Sequence, residues 1–568
     1  MNSRNISVLA AVAAALLAVQ LWLGFAFIRS AAPTYDEAVH LASGYSYLKT
    51  GVYRLNIMDH PPLAEMWAAL ALLPVQPHVF VQHPDWIYAR VYHYADMFLY
   101  KNTLPAETLL NRARRFDFVT WTLLLAVALV WWAWRAAGPA AAAGALCAQA
   151  FCPALLSNFA LVTTDGASTA LFFAACAAAA EASRREEERD RGSWLWALAG
   201  VCTGLALAAK FNMIVLPPLL FALGLLGPLL STPRRAPPSG LWWMLGAAAL
   251  ALALPYRFLH AGLWWEGLRA TLSRLDEGRR SFFFGHVSVT GRWEYFPLAL
   301  AVKTPLPLLL LAAAGLARAA RLPWRRGMWL WAPPAVYMAL ALTAKVQIGY
   351  RHVLPVVPFL LLWSGLAVSW AVSDVNLVNF CEQKFTKFTS DTAKIVALAA
   401  LGAWLVVGVV RVHPDQLAYF NELVGGPDRG YECLVDSNLD WGQALKPLAA
   451  ELKRIGNPPV YLSYFGTADP ADYGVRYLPV GVVANVERPG NEPDPAASGR
   501  VLLAISATNL QGTYYPDSGS FAWLKTRKPL AVSGRSIFLY DLTADEDGRR
   551  RLAALVSPEA ARRLLGRG

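Results

Sequence analysis

Acidic residues beside apolar segments are the part of this sequence best suited to chemistry. Asp36 and Glu37 follow the first apolar segment, Asp59 and His60 stand in the loop after it, and Asp165 begins a later segment. A carboxylate at a membrane surface can deprotonate an acceptor hydroxyl. These residues therefore predict catalysis where membrane helices end in water.

Each of these residues also has a structural interpretation. The acidic pair at 36–37 would suit the start of the helix that follows it, and Asp165 would suit the start of its own segment. The Asp59-His60 pair precedes two prolines and would suit a turn. The sequence leaves the catalytic and the structural interpretations open.

The segments that position these residues are predicted to be membrane helices. Of the 568 residues, 56% are hydrophobic and 22 are tryptophan, and the mean hydropathy is positive, which argues against an ordinary soluble protein. An apolar segment of about 17–25 residues can cross a membrane as a helix. About eleven segments qualify, near residues 8–28, 116–136, 139–160, 163–182, 193–209, 211–230, 240–257, 296–317, 328–344, 352–372 and 393–412. A mainly α-helical, multi-spanning bundle is therefore predicted.

Lysine and arginine in short loops predict the orientation, because they favour the cytoplasmic side. With a cytoplasmic N-terminus and an uncleaved first helix, every short basic loop lies on the inner face of the cytoplasmic membrane. These loops contain Arg135, Arg184, Arg185, Arg189, Arg191, Arg234, Arg235, Arg318, Arg321, Arg325, Arg326, Lys384, Lys387 and Lys394. Anionic membrane lipids account for most of the basic excess, so nucleic acid is not a predicted partner.

Two domains follow from this topology. Residues 1–412 are predicted to form the transmembrane domain, and residues 413–568 a soluble α/β domain on the outer side. Long outer loops occupy 29–115 and 259–295. The first is predicted to contain interfacial helices: its stretch at 62–73 suits such a helix, and its aromatic run at 86–100 suits the same headgroup level. In the outer domain, strands are predicted at 460–464, 501–505 and 537–540, and helices at 444–455 and 549–565.

Histidine is segregated in this topology. All nine histidines fall in outer loops or at outer helix ends: His40, His60, His78, His83, His93, His260, His286, His352 and His413. Imidazole is common in wet loops, but the joint segregation favours a polar outer site able to hold a divalent metal. Asp59, His60 and His286 are the candidate ligands, although the sequence has no HExxH or comparable spacing.

Several cations complete the predicted site. Lys303 lies inside an apolar segment, Arg351 and His352 open another, and Arg279 and Arg280 lie in the second long outer loop. A charge inside a membrane segment is costly and usually has a partner. A phosphate would pair with these cations, whereas snorkelling to the interface is the alternative for Lys303.

The order of these motifs resembles that of integral-membrane glycosyltransferases with the GT-C fold. The resemblance is greatest to bacterial relatives of dolichyl-phosphate-mannose protein mannosyltransferases and to aminoarabinose transferases, in glycosyltransferase families 39 and 83. It rests on the acidic pair, the Asp-His-Pro-Pro element and the Thr-Asp-Gly segment, and on residues 291–297, 303–305, 348–355, 419–422 and 435–443. It covers most of residues 30–415.

The resemblance implies transfer of a sugar from a polyprenyl-phosphate carrier to a protein, lipid or glycan acceptor at the outer face. It implies that Asp36 is the catalytic carboxylate, with Glu37 beside it and Asp165 near the acceptor. Asp59, His60, Lys303, Arg351, His352, Arg279 and Arg280 are then candidates for binding the donor and its phosphate. His60 stands where the aminoarabinose branch carries lysine, and His286 where many relatives carry an acid.

Two other classes of function remain open from the sequence. A transporter or flippase of an envelope lipid or glycan would use the acids and Lys303 along a translocation path. A scaffold would only present the outer domain to envelope partners. The acids cluster at outer boundaries and the two halves of the chain do not resemble each other, which favours the transferase.

Overall fold

The computed structural model describes residues 3–188, 192–230, 236–373, 390–481, 495–496 and 499–565. Six of the basic residues used for the orientation lie outside these ranges, namely Arg189, Arg191, Arg234, Arg235, Lys384 and Lys387. The described chain is mainly α-helical with a C-terminal mixed sheet, which confirms the predicted fold class.

The α-helices are α1 (Ser3–Ser30), α2 (Glu37–Thr50), α3 (Leu63–Leu70), α4 (Pro84–Ile87), α5 (Val91–Tyr100), α6 (Ala106–Ala137), α7 (Pro139–Ala150), α8 (Pro153–Asn158), α9 (Thr164–Glu187), α10 (Ser193–Ala209), α11 (Leu216–Leu229), α12 (Gly240–Ala253), α13 (Gly262–Glu277), α14 (Tyr295–Lys303), α15 (Leu306–Ala319), α16 (Trp324–Ala341), α17 (Val357–Ser373), α18 (Ser390–Val412), α19 (Leu445–Arg454), α20 (Ala507–Leu510), α21 (Glu546–Ala553) and α22 (Pro558–Leu564). Short 3₁₀ helices lie at Phe211–Val215, Leu254–Tyr256, Tyr350–Val356, Gln416–Ala418, Glu422–Val424, Gly430–Glu432, Asp436–Asn438, Pro470–Tyr473 and Ala522–Thr526.

Within the described ranges, six helices are long and apolar enough to cross a membrane, or seven if the bent pair α14 and α15 is one span. The six are Leu9–Ser30, Ala106–Ala137, Thr164–Glu187, Phe211–Leu229, Tyr350–Val372 and Asp391–Val412. The chain is a multi-spanning membrane protein.

The other predicted spans hold shorter or interrupted helices. The segment 139–160 is divided into α7 and α8, because Pro153 begins a new helix. α14 and α15 meet at 113°, where Pro305 lacks the N–H that a continuous helix needs. α10 has 17 residues, at the lower end of the length expected of a full span. The count of eleven spans stays a prediction.

Small residues allow the helices of the bundle to approach closely. α9 is buried from Thr164 to Ala182 and is rich in alanine. α10 packs on α12 through Gly200 and Gly204, where an added Cβ would lie 2.2 Å from the carbonyl oxygens of Met244 and Ala248 respectively. Such contacts between backbones stabilise helix packing in a membrane, where apolar burial alone gives little preference. The core of the bundle therefore encloses α9, which carries Asp165 in its first turn.

The first long outer loop folds over one end of the bundle as α2 to α5. The predicted short helix at 62–73 is confirmed as α3, and the aromatic stretch at 86–100 contains the end of α4 and all of α5. Gly44 of α2 lies against the backbone of Glu65 in α3, where a Cβ would be 2.0 Å from the carbonyl oxygen. This contact fixes α2, which begins directly after Asp36.

The C-terminal part contains a five-stranded sheet in the order β4-β3-β5-β7-β6. Its strands are β3 (Val460–Ser463), β4 (Tyr477–Pro479), β5 (Leu502–Ser506), β6 (Ala531–Ser533) and β7 (Ile537–Asp541), and a separate hairpin is formed by β1 (Ser281–Phe283) and β2 (His286–Ser288). β3 is parallel to β4 and β5, whereas β7 is antiparallel to β5 and β6.

The secondary structure predicted for this C-terminal part is largely confirmed. The three predicted strands coincide with β3, β5 and β7, and the helix at 444–455 coincides with α19. The helical stretch predicted at 549–565 is confirmed over most of its length but is divided into α21 and α22. The division occurs because Ser557 caps a new helix that starts at Pro558.

Residues 416–443 connect the bundle to the sheet and lie against the membrane helices. Asn421 donates from Nδ2 to the carbonyl oxygens of Ala301 (2.6 Å) and Thr304 (2.8 Å), where the bend between α14 and α15 leaves acceptors. Asn438 Oδ1 accepts from the Tyr350 N–H at 2.8 Å. The connecting segment thus forms part of the wall of the bundle, and the domain boundary at residue 413 stays a prediction.

Candidate active site

Arg351 contacts both Asp36 and Asp165, which lie far apart in the sequence. Its guanidinium lies 3.4 Å from Asp36 Oδ2 and 3.5 Å from Asp165 Oδ2. Asp36 precedes α2, Asp165 lies in the first turn of α9, and Arg351 lies in the 3₁₀ helix that leads into α17. The structure thus brings together three residues that the sequence predicted only to lie on the same side of the membrane.

The connecting segment holds Arg351 in place. The guanidinium stacks over the ring of Trp441 at 4.1 Å, and Nε donates to Ser437 Oγ at 3.1 Å. Gly349 makes this approach possible, because a Cβ there would lie 2.1 Å from Ser437 Oγ. Arg351 is only 9% exposed, so its orientation is fixed by contacts on several sides.

Asp165 is a buried acid between two cations. Lys210 Nζ lies 2.5 Å from Oδ1, and Arg351 faces Oδ2. Asp165 does not cap α9 itself, because Thr163 occupies the cap position and accepts from the Asp165 N–H. Among the described residues, Oδ2 accepts no hydrogen bond of good geometry. One carboxylate oxygen is therefore left for a further donor.

Asp36 is the more accessible acid of the site. It stands at the cap position of α2, but its side chain makes no capping hydrogen bond. Its side chain is 25% exposed. The capping role that the sequence left open is therefore not realised, and the carboxylate can meet a molecule from outside.

Glu37 is enclosed, in contrast. Oε1 accepts from Arg114 Nε (2.8 Å) and the Val162 N–H (2.9 Å), and Oε2 accepts from Arg114 Nη2 (2.5 Å) and both the N–H and hydroxyl of Thr34. Burial alone would raise the pKa of Glu37, but Arg114 and these hydrogen bonds outweigh burial and hold the pKa below its ordinary value. Glu37 remains ionised and inaccessible.

A buried polar network lies behind Asp36. His40 Nδ1 is 2.9 Å from Glu65 Oε1, which also accepts from Asn56 Nδ2 at 2.6 Å. The rings of His40 and His60 are 4.9 Å apart. Burial, and then the neighbouring His40, Lys210 and Arg351, hold the pKa of His60 well below its ordinary range. His60 is therefore neutral and offers a hydrogen bond where a lysine would offer a charge.

Lys303 has backbone partners. Its ammonium donates to the carbonyl oxygens of Leu417 (2.8 Å) and Asn438 (2.5 Å) and lies 4.4 Å from the centre of the Phe420 ring. It is buried, so the snorkelling alternative is not realised. Lys303 fastens the connecting segment to the end of α14.

The remaining predicted donor-binding residues lie in different surroundings. Arg279 faces the ring of Tyr514 at 5.5 Å, and Arg280 donates to the Tyr515 carbonyl oxygen. His352 has a buried Nε2 with no hydrogen-bond partner among the described residues. Asp59 pairs with Arg274 at the surface.

The three candidate metal ligands differ in environment and do not converge. His286 is exposed on β2, Asp59 is engaged by Arg274, and His60 packs against His40. The described residues contain no group of three or more His, Cys, Asp or Glu side chains able to hold a metal ion.

A cleft of about 600 Å³ lies beside the candidate active site, between the first outer loop and the C-terminal sheet. Thr467 lines it and donates to the Tyr35 carbonyl oxygen, directly before Asp36. Its volume falls in the range of about 300–1,000 Å³ typical of ligand pockets. Burial first, and then Asp469 and Asp472, raise the pKa of Asp96 in this cleft to about 7.

Sequence reasoning missed several residues that build the site. No sequence pattern predicts a role for Lys210, or for Ser437 and Trp441 within residues 435–443. Arg114 was not singled out, although a basic residue at the outer end of a predicted span runs against the usual charge distribution. That departure was the available signal for a buried acidic partner.

No protein-family model matches the sequence, and no curated protein matches it. Among solved structures, the chain is similar to apo ArnT from Cupriavidus metallidurans, with 14% identity, coverage of 96% of this chain and 98% of that chain, and a TM-score of 0.47. ArnT bound to undecaprenyl phosphate is 14% identical, with coverage of 94% of this chain and 98% of that chain and a TM-score of 0.46. The oligosaccharyltransferase of Archaeoglobus fulgidus is 14% identical, with coverage of 73% of this chain and 57% of that chain and a TM-score of 0.46. At these values the function has to be argued from the site itself.

Proposed function

We propose that this protein transfers a sugar from a polyprenyl-phosphate carrier to an acceptor at the outer face of the cytoplasmic membrane. The observation that carries the proposal is Arg351 held between Asp36 and Asp165 at the ends of membrane helices. This arrangement combines an accessible carboxylate with a guanidinium able to bind phosphate oxygens.

Asp36 is the proposed general base. It accepts the proton of the acceptor hydroxyl, whose oxygen then attacks the anomeric carbon of the donor. The bond between that carbon and the phosphate oxygen breaks, and the carrier phosphate leaves with the electron pair. The partial exposure of Asp36 and its lack of a capping bond support this role.

Arg351 is the proposed partner of the departing phosphate. Its contacts with the two acids, at 3.4 and 3.5 Å, exceed the roughly 2.7–2.9 Å of a strong charge-assisted hydrogen bond. Its donors are therefore not fully used, while Trp441 and Ser437 keep the side chain oriented. A fixed cation stabilises the developing negative charge without rearrangement during the reaction.

The other predicted residues receive narrower roles in this proposal. Asp165 positions Arg351 and Lys210 beside the acceptor, because each of its carboxylate oxygens faces one of these two cations. His352 and Arg279 remain candidates for the carrier phosphate. Glu37 and Lys303 position the backbone on either side of the site, because their polar atoms are already engaged.

The acceptor is proposed to approach through the cleft beside Tyr35. The cleft adjoins Asp36 through Tyr35 and Thr467, and its lining combines four aspartates and two histidines with Arg90 and Lys101. A polyhydroxylated or cationic acceptor suits such a lining better than an apolar one. Asp472→Asn would weaken use of the acceptor while leaving donor binding intact.

The helix that carries Asp165 supports a proposal for the side of the membrane on which the site opens. The acid lies at the N-terminal end of α9, and Arg184 and Arg185 lie at its C-terminal end. Because basic residues favour the cytoplasmic side, the site is proposed to open on the outer side. The C-terminal sheet is proposed to lie on the same side, since Thr467, which follows β3, donates to the Tyr35 carbonyl oxygen directly before Asp36.

The test is glycosyl transfer by the purified protein. Wild type and Asp36→Asn would be incubated with a panel of radiolabelled polyprenyl-phosphate sugars and cell-envelope acceptors. The proposal expects label in the acceptor with wild type and at least a hundredfold less with Asp36→Asn. Absence of transfer from every donor by a folded protein would refute it. Carrier flipping without any glycosyl product would instead support a transporter.

A further inference from the structure

We propose a second site on this protein, a pocket that binds the phosphate headgroup of an anionic phospholipid. The pocket lies between the C-terminal ends of α6 and α9 and the N-terminal end of α16. Its charged lining consists of Arg135, Arg184, Arg325, Arg326, Glu181 and Glu187. We call it the arginine pocket.

The arginine pocket is remote from the candidate active site. Asp165 lies in the first turn of α9, whereas Glu181 and Glu187 lie in its last two turns. The 24 residues of α9 extend about 36 Å at about 1.5 Å per residue. The two sites therefore face opposite surfaces of the membrane, and a ligand in one cannot contact the other.

The lining of the pocket is cationic. Four arginines and two glutamates leave an excess of two positive charges. Glu181 is buried, at 5% exposure, and its Oε1 forms ion pairs with Arg135 (3.0 Å) and Arg184 (2.6 Å). These contacts hold both guanidiniums at the edge of the pocket.

Arg325 and Arg326 carry the unsatisfied charge. The nearest carboxylate oxygen to Arg325 belongs to Glu187 and is 4.0 Å away. Arg326 is exposed and has no carboxylate within ion-pair distance among the described residues. A planar guanidinium matches two phosphate oxygens at once, so a phosphate would complete what the protein leaves open.

The walls of the pocket favour a lipid over a soluble anion. Trp132 and Trp329 are buried beside it, and Leu322 and Leu330 complete an apolar side. The cavity measures about 140 Å³, equivalent to roughly four or five water molecules at about 30 Å³ each. This space admits a headgroup but not a folded segment, and basic pockets between membrane helices suit anionic lipid headgroups.

The charge excess also selects between lipids. An anionic headgroup brings phosphate alone, whereas a choline headgroup adds a cation that would meet Arg325 and Arg326 at close range. Like charges in a partly enclosed site repel, so phosphatidylcholine should be disfavoured. The inference does not depend on the proposed transferase function.

The experiment measures lipid retention in native mass spectra. Protein would be reconstituted in bilayers of equal parts phosphatidylglycerol and phosphatidylcholine, and the lipids that remain bound after extraction would be counted. Arg325→Gln/Arg326→Gln is compared with Arg318→Gln/Arg321→Gln. Both double variants remove two charges from the region joining α15 and α16, but only the first pair lines the pocket.

We expect wild type to retain phosphatidylglycerol in preference to phosphatidylcholine. The pocket variant should lose at least about tenfold in that preference, because a charge-assisted hydrogen bond to a phosphate oxygen contributes roughly tenfold or more. The control should lose less than about twofold, because Arg318 and Arg321 do not line the pocket. Equal losses in the two variants, or no preference in wild type, would overturn the proposal. Displacement of the lipid by millimolar inorganic phosphate would overturn it in favour of a soluble anion. Thermal unfolding of each variant confirms that it is folded.

Discussion

Asp36 and Glu37 are neighbours in the chain but lie in opposite environments. Glu37 is 0% exposed and its two oxygens accept five hydrogen bonds. Asp36 is 25% exposed and has one cationic contact at 3.4 Å. The difference separates two tasks: Glu37 fixes the start of α2, and α2 then presents Asp36 to the outside.

Their arginine partners differ in the same way. Arg114 is 1% exposed, and its Nη atoms also donate to the carbonyl oxygens of Ala31 and Ala32 at 2.9 Å. Arg351 has longer contacts with its acids and an aromatic face beneath it. The Glu37–Arg114 pair is therefore a fixed structural contact, whereas Arg351 can exchange its contacts with Asp36 and Asp165 for contacts with a ligand.

Asp36→Asn should have the largest effect and should spare the fold. Loss of the general base is expected to lower transfer about 10²–10⁴-fold, with an unchanged melting temperature in detergent. Asp428→Asn makes the same change at an exposed acid paired with Arg535, and should keep transfer within about twofold, in line with a surface pair. A large fall in the melting temperature of Asp36→Asn would contradict the comparison.

Arg114→Met should act on stability instead. Removal of one partner leaves Glu37 buried and unpaired, which typically costs about 3–5 kcal/mol. A lower unfolding midpoint in denaturant or on heating would show it. The paired variant Glu37→Leu/Arg114→Met removes both charges and should recover part of the loss. If Arg114→Met were as stable as wild type but inactive in transfer, the Glu37–Arg114 pair would have a role in catalysis rather than in stability.

Arg351→Lys should reduce transfer by an intermediate amount. Lysine keeps the charge but loses the fork that reaches both Asp36 and Asp165, and hydrogen bonds to charged groups contribute about 1.5–3 kcal/mol. Transfer should therefore fall roughly tenfold to a hundredfold. A matched Arg274→Lys variant, at the surface pair with Asp59, should be nearly silent. Equal losses in the two variants would show that position within the fold is irrelevant.

The pH dependence should show the smallest effect. Because the pKa of Glu37 is lower in the folded protein than its ordinary 4.5, its contribution to stability is present above that value. The contribution is lost as the pH falls through the folded pKa. Melting temperatures would be measured from about pH 6 to about pH 3.5. Glu37→Gln should flatten this dependence relative to wild type, and an identical slope in both proteins would contradict the assignment.

Much of the fold could be predicted because apolar length and alternation report directly on helices and strands. The segment at 62–73 was too short to span and became α3, and the three predicted strands lie in the C-terminal sheet. Interruptions were less visible, since a single proline at 153 or 305 divides a segment without changing its hydropathy.

The sequence predicted which residues form the site better than it predicted which atoms those residues contact. Topology placed Asp36, Asp165 and Arg351 on one side, and the structure brings them within 3.5 Å. Hydropathy shows that Lys303 needs a partner, but it cannot show that backbone carbonyl oxygens provide it. Arg114 lies 77 residues from Glu37, and no local pattern links residues so far apart.

The two carbonyl oxygens that hold Lys303 also determine where the chain can be divided. A protein shortened to residue 412 would keep an ammonium inside an apolar helix, lose both of its acceptors, and lose Trp441 from beneath Arg351. Such a truncation would disable the membrane part whatever the sheet does. Chimeras that exchange the C-terminal sheet between related proteins should therefore be joined after residue 443, so that the connecting segment stays with the helices it braces.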